Sequence, residues 1–262
     1  MTTEGFVLSR RGFLAAAAAV TLPACLTDFT GTSGNSRLLA RPTEPLELAP
    51  PGISQLNLGE TRDGFLYVPT GHDLTRPLPL MVLLHGSGDG SSFWTRPDFA
   101  IERLANERGL ILLAPDSRNV SWDVVMQHQY GPDPQFIDRA LQHAFARCNV
   151  DPTRVGMAGF SDGGTTALSL GLSNGDLFSQ LGAFSPGFVA EGPRVGKPGI
   201  FVSHGTRDVV FPVATTGRAI VTRLRQSGYQ VEYQEFEGQH GVPGDKLIRV
   251  LDRLVGERTV PG

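Results

Sequence analysis

The chain has 262 residues, enough for one substantial α/β core, and a formal net charge of −3. Its basic residues form no long run and do not interleave with aromatics, which argues against a nucleic-acid partner. Two cysteines, Cys25 and Cys148, exclude a disulfide framework, and the six histidines form neither a His-Glu-x-x-His helix nor a Cys/His zinc spacing.

Residues 1–25 read as an export signal. Ser9-Arg10-Arg11-Gly12-Phe13-Leu14 supplies a charged n-region, and the alanine-rich 15–22 an apolar h-region too short to span a bilayer comfortably. Paired arginines before Gly-Phe-Leu resemble a twin-arginine signal. Leu22-Pro23-Ala24-Cys25 is similar to a bacterial lipoprotein box, in which the cysteine carries lipid. Proline is unusual there, so a lipidated Cys25 and an incidental cysteine after an ordinary cleavage site both stay open. A membrane partner is expected only through such a lipid. From 26 to 51 the composition turns to Thr, Ser, Gly, Asn and Pro without periodicity, which predicts a flexible tether ahead of a folded domain at 52–262.

Within that domain, 53–58 and 65–68 flank Asp63-Gly64 and predict an antiparallel hairpin. Residues 80–84, Leu-Met-Val-Leu-Leu, are apolar throughout, as in a parallel strand covered on both faces. A helix is predicted over 99–108, closed by Gly109, and a strand over 110–115. Asp133-Pro134 opens a helix through 146 with Phe136, Ile137, Ala140, Leu141, Ala144 and Phe145 at helical spacing; Cys148 reads as helix packing. Strand 155–158 leads into Gly159-Phe160-Ser161-Asp162-Gly163-Gly164 and a helix over 165–172. Later strands are predicted at 181–185, 199–203 and 231–236, with helices at 213–226 and 247–255. The alternation predicts a mainly parallel sheet flanked by helices behind the hairpin, with working loops at the strands' carboxyl ends.

A sharp turn of small residues between strand and helix, with serine at its apex, is the setting of a nucleophile elbow. Gly-x-Ser-x-Gly alone is weak in a chain with 32 glycines, so its context decides. For this architecture the order is serine, acid, histidine. His72, His85, His128 and His143 precede Ser161, and His204 precedes Asp208, leaving His240 in a short loop after strand 231–236. Among the acids between, Asp162 is locked to the elbow, Asp176 reads as a turn residue, and Glu232, Glu235 and Glu237 read as solvated. Asp208 follows strand 199–203 at its carboxyl end and is the candidate acid, against a bland reading as a salt bridge with Arg207. Backbone N–H groups of Ser87 or the adjacent glycine, in His85-Gly86-Ser87-Gly88, and of Asp162 are the candidate oxyanion donors, with His85 supporting its loop. The glycines there fit no dinucleotide or P-loop pattern.

These segments, with Ala114-Pro115-Asp116, Gly205-Thr206-Arg207-Asp208 and Gln239-His240-Gly241, resemble the α/β-hydrolase serine esterases. The resemblance is to the phospholipase/carboxylesterase and dienelactone-hydrolase-like branch, and runs from about 80 to 241. It implies an α/β-hydrolase fold without a large lid domain, and ester hydrolysis through an acyl-enzyme with Ser161, His240 and Asp208, without metal or organic cofactor. An exported peptidase or amidase, or a catalytically silent binding module, are the alternatives. Residues 185–198 are too short and irregular for a helical cap. Trp94, Trp122, Phe188 and Phe211 fall in loops near the strands' carboxyl ends. Singly each reads as loop packing; as a group they suit an open cleft for short acyl or aryl esters, as small molecules or at polymer ends.

Overall fold

The computed structural model describes residues 35–45, 47–59 and 61–256, so the segment predicted to be an export signal, Cys25 included, lies outside the described residues. Strands β1 (Gly52–Gln55) and β2 (Gly64–Val68) form the expected hairpin, and β3 (Leu78–Leu84) follows. Helix α1 (Ile101–Arg108) and strand β4 (Ile111–Pro115) come next, then a single turn, α2 (Asp123–Met126), and the long α3 (Pro132–Phe145). Strand β5 (Val150–Phe160) runs into α4 (Asp162–Ser173) with only Ser161 between them. The described residues continue through β6 (Gln180–Phe184), β7 (Gly199–Gly205), α5 (Gly217–Gln226), β8 (Val231–Phe236) and α6 (Gly244–Val255).

These strands build one sheet in the order β1-β2-β4-β3-β5-β6-β7-β8. The β1–β2 and β2–β4 pairs are antiparallel, and every later pair is parallel. This is the α/β-hydrolase fold. Strand order reverses at β3, because the chain leaves it for β4 on one side and returns to β5 on the other. The crevice beyond their carboxyl ends is therefore the switch point where such sheets bind ligands. Register Leu84↔Gly159 brings the segment after β3 level with Ser161.

Alternate side chains of β3 enter opposite layers. Leu80, Val82 and Leu84 join the core under α3, α4 and α5, whereas Met81 and Leu83 join the one under α1 and α6. An apolar run without alternation is what two covered faces require. Helix α4 is buried along its whole length, serines and threonines included. Its hydroxyls bond back one turn, Thr166 to the Asp162 carbonyl at 2.8 Å and Ser169 to that of Thr165 at 2.7 Å. The Thr165 and Ser169 oxygens also accept the Gly187 and Ala190 N–H groups, at 3.0 and 2.9 Å, which ties the loop after β6 to the elbow helix. That loop contains no helix, as its glycines and prolines predicted.

The described part of the predicted tether differs from expectation. Ser36, Leu38 and Ala40 are buried, and Arg37 and Arg41 both pair with Asp176. Asn174 accepts the Leu38 N–H at 2.8 Å and donates to the Ser36 carbonyl at 2.7 Å, while Asp138 accepts the N–H groups of Leu39 and Ala40. Composition missed this strap because backbone hydrogen bonds to remote side chains leave no periodicity. Asn174→Ala would strand two buried backbone groups at about 1–3 kcal/mol each, so we expect roughly 2–6 kcal/mol of lost stability and new proteolysis near residues 35–40. Equilibrium denaturation and limited proteolysis test this; an unshifted midpoint would show that the strap contributes nothing.

Candidate active site

Ser161 joins β5 to α4 with φ 56° and ψ −119°, a region that costs a non-glycine residue about 1–3 kcal/mol. Close approach holds it there. A Cβ on Gly159 would sit 2.2 Å from the Gly163 carbonyl oxygen, and one on Gly163 2.3 Å from that of Leu84. Gly159 lets β5 and α4 pass, Gly163 lets α4 pass the end of β3, and the Ser161 N–H is anchored on the Phe184 carbonyl at 2.9 Å.

The hydroxyl so presented meets the loops after β7 and β8. His240 Nε2 lies 2.8 Å from Ser161 Oγ, and its Nδ1 lies 2.7 Å from Asp208 Oδ2. Asp208 Oδ1 accepts the Val210 and Phe211 N–H groups at 2.9 and 2.8 Å. Burial alone would raise this carboxyl, but the His240 contact and those backbone donors hold it below the usual carboxylate range. An acceptor at Nδ1 fixes the tautomer whose Nε2 faces the serine. The array can take the serine proton as the hydroxyl attacks an electrophile.

Competing acids are engaged elsewhere. Asp176 pairs with Arg37 and Arg41, Glu232 with Arg249 and Arg253, and Glu235 with Arg218, so two glutamates read as solvated are in fact ion-paired. Arg207, the bland partner for Asp208, instead lies 3.5 Å from Glu237.

The loop after β3 closes the other side. Gly86 packs against Ser161: a Cβ there would lie 3.4 Å from the serine Cβ. His85 Nε2 accepts the Ser117 N–H at 3.0 Å, so its Nδ1 carries hydrogen toward the Gly86 carbonyl at 2.7 Å. Burial lowers the His85 pKa, keeping the ring a neutral brace. The Gly88 N–H reaches the Val120 carbonyl at 2.7 Å, fixing the stretch that carries Ser87. Asp162 opens α4, where a first-turn N–H has no intrahelical acceptor, and its carboxylate accepts the Ser121 hydroxyl at 2.6 Å. This places both candidate oxyanion donors on the segments that flank Ser161.

The aromatic expectation needs correction. Trp94 and Trp122 are both 0% exposed and cannot line a cleft. Trp94 belongs to the core under α1 and α6, packed on Phe93, Phe99 and Phe184. Trp122 lies in the opposite core, donating from Nε1 to the His85 carbonyl at 2.9 Å. Both sit near the loops in sequence, but their rings turn inward, where burying a large apolar surface outweighs display. Phe188 is half-buried, its ring 5.9 Å from that of His128, and Phe211 reaches the site with its ring 5.4 Å from that of His240. Phe160, not singled out from sequence, also packs its ring 4.9 Å from that of His240. Its place beside the serine in the elbow was the available signal.

Comparison with known proteins places this geometry. Residues 56–191 match the Esterase family. Two curated relatives are a bifunctional acetylxylan esterase/xylanase of Neocallimastix patriciarum and feruloyl esterase B of Thermothelomyces thermophilus. The first is 27% identical over 161 residues, covering 58% of this chain and 22% of its own. The second is 29% identical over 127 residues, covering 46% of this chain and 43% of its own, so the match spans less than half of either relative. Among solved structures, a fluorophosphonate-binding serine hydrolase of Staphylococcus aureus superimposes with TM-score 0.65 at 15% identity, over 80% of this chain and 100% of that one. A ferulic acid esterase of Anaeromyces mucronatus, solved with ferulic acid, gives TM-score 0.60 at 16% identity, over 82% and 94%.

Burial converts the Trp122 expectation into one about stability. Trp122→Ala should cost about 3–5 kcal/mol through the cavity and the orphaned His85 carbonyl. Chemical denaturation measures it. A stable variant with only a raised KM would return Trp122 to the cleft.

Proposed function

The chain belongs to the Esterase family, and from that premise we propose that it is a serine hydrolase cleaving carboxylic esters through an acyl-enzyme. The observation that carries the reading is the continuous line from Ser161 Oγ through His240 to Asp208, at 2.8 and 2.7 Å. Ser161 Oγ attacks the ester carbonyl carbon while its proton moves to His240 Nε2. The C=O π pair moves onto oxygen, and the N–H groups of Ser87 and Asp162 receive the charge, a donor of this kind being worth about 10²–10³ in rate. Collapse breaks the bond to the alkoxy oxygen, which leaves as alcohol with the proton from His240. Water then gives its proton to His240 and attacks the acyl carbon; Ser161 recovers its proton as the acid departs. Asp208 stays ionised throughout and stabilises the imidazolium.

Short acyl or aryl esters suit the surroundings. Residues 185–198 supply no helical cap, and Val209 and Val210, next to Asp208, are 81% and 56% exposed. Phe211 and the half-buried Phe188 are the apolar surfaces we assign to substrate. The acetylxylan and feruloyl activities in the relatives' names point the same way, toward acetyl or aromatic acyl groups on a polymer. Export through the twin-arginine-like Arg10-Arg11 segment, with Cys25 a candidate lipid anchor, would bring the enzyme to such a substrate.

A fluorophosphonate probe should label the wild type and not Ser161→Ala, and Ser161→Ala or His240→Ala should each lower kcat by roughly 10⁴-fold or more with the fold intact. Asp208→Asn should be comparably severe, because the amide favours the wrong tautomer. Near wild-type turnover in Ser161→Ala would end this mechanism. Across p-nitrophenyl esters, kcat/KM should fall from acetyl or butyryl to palmitoyl with no jump above the micelle threshold; the opposite order would require a covered site.

A further inference from the structure

His204 was set aside as the base because it precedes Asp208, yet it reaches the same carboxylate. Its side chain, at the end of β7, is 0% exposed. Nε2 lies 2.7 Å from the Phe211 carbonyl oxygen and 3.2 Å from Asp208 Oδ2. A carbonyl only accepts, so Nε2 carries the hydrogen and gives it to Phe211, while the Asp208 contact at 3.2 Å is electrostatic. Asp208 Oδ2 is also the oxygen that faces His240 Nδ1. Two imidazoles thus converge on one carboxylate oxygen, while two backbone N–H groups hold the other.

We propose that His204 is a positioning residue for the triad: it donates to the Phe211 carbonyl and lies 3.2 Å from Asp208 Oδ2, so that the turn and its carboxylate stay aimed at His240. The inference rests on the serine-hydrolase reading above. The clamp has two jaws. Phe211 gives its N–H to Asp208 Oδ1 and its carbonyl to His204, so the turn 208–211 and the carboxylate are held by the same ring. The fold makes room for that ring. A Cβ on Gly217 would fall 2.7 Å from His204 Nδ1 and 3.0 Å from its Cβ. Burial lowers the His204 pKa, which leaves a neutral donor. A charged ring here would compete with the His240 imidazolium for the carboxylate.

A core histidine satisfied by the Phe211 carbonyl alone would place the same ring in the same pocket. Two substitutions in the full chain separate these roles. His204→Phe fills the space and removes the donor, whereas His204→Gln can carry an amide N–H to the Nε2 position. We expect His204→Phe to lower kcat about 10–100-fold, the scale on which outer partners of a site act, with KM little changed. His204→Gln should recover most of that loss at similar thermal stability. In an Asp208→Asn background, His204→Phe should cost little more, because its effect passes through the carboxylate. Proton NMR gives a readout independent of turnover. The downfield His240 Nδ1–H resonance should persist in His204→Gln and shift or broaden in His204→Phe. An unmoved resonance in folded His204→Phe, or equal kcat loss in both variants, would overturn the clamp. A wild type with no ester turnover would instead end the hydrolase reading, with the resonance still deciding the contact.

Discussion

The contact on which everything else depends is the close packing of the first turn of α4 against β5 at Gly159 and against the end of β3 at Gly163. These elements are so close that a single methyl at either position would overlap a backbone carbonyl by about an ångström or more. This packing forces Ser161 into its positive-φ conformation and leaves the side chain nowhere to go but outward. Strain of this kind persists only where the surroundings over-determine it. Here α4 is buried along its length, its hydroxyls are returned to its own carbonyls, and Phe184 anchors the serine N–H. The same closeness sets the Gly86 loop against the serine, so the strain and the second wall of the site have one cause.

Around that point the protein spends buried polar groups on holding loops. His85 braces the segment after β3 against Ser117, and Ser121 holds the Asp162 carboxylate. Asp123 and Asp133 cap one another's backbone, Asp133 taking the Asp123 N–H at 2.6 Å and Asp123 taking the Asp133 N–H at 2.7 Å. Asp133 also accepts the Arg118 N–H at 2.6 Å, so the loop between β4 and α3 is tied at both ends. Unmade, each such bond would strand a buried group; made, it fixes one loop conformation. Catalysis through oriented dipoles needs that rigidity, since donors already in place need not reorganise as charge develops.

What could be read from the chain alone follows from this physics. Leu80 to Leu84 announced a strand covered on both faces, and the Gly159–Gly163 spacing announced the close packing, because both are local demands on residue type. His240 and Asp208 were found by chain order, which the fold's connectivity imposes. The strap at Ser36–Ala40, the inward turn of both tryptophans and the His204 contact were not legible. The strap depends on partners about a hundred or more residues away, and the other two depend on which way a side chain at the end of a strand or in a loop rotates. Local pattern carries neither. Trp122 is the instructive case: a loop tryptophan beside a presumed cleft reads as a wall, but its N–H finds the His85 carbonyl inside, and its apolar area goes to the core.

Those buried rings still bear on the chemistry, through contact rather than display. Trp94 meets Phe93 edge-on at 5.0 Å, and Phe93 stacks on Phe160 at 5.3 Å and 8°. Phe160 then lies 4.9 Å from the His240 ring, whose other neighbour is Phe211 at 5.4 Å and 77°. Aromatic pairs at these separations prefer defined offsets and contribute about 0.5–1.5 kcal/mol beyond their area, so a stack resists rotation of any member. The imidazole is thus held by hydrogen bonds to Ser161 and Asp208 and by ring contacts with two phenylalanines, one of them continuous with the core under α1 and α6. A loop histidine on a short turn after β8 would otherwise be the most mobile part of the line. The carboxylate end of that line is fully buried, and the lower local dielectric there strengthens its hydrogen bond to the imidazole.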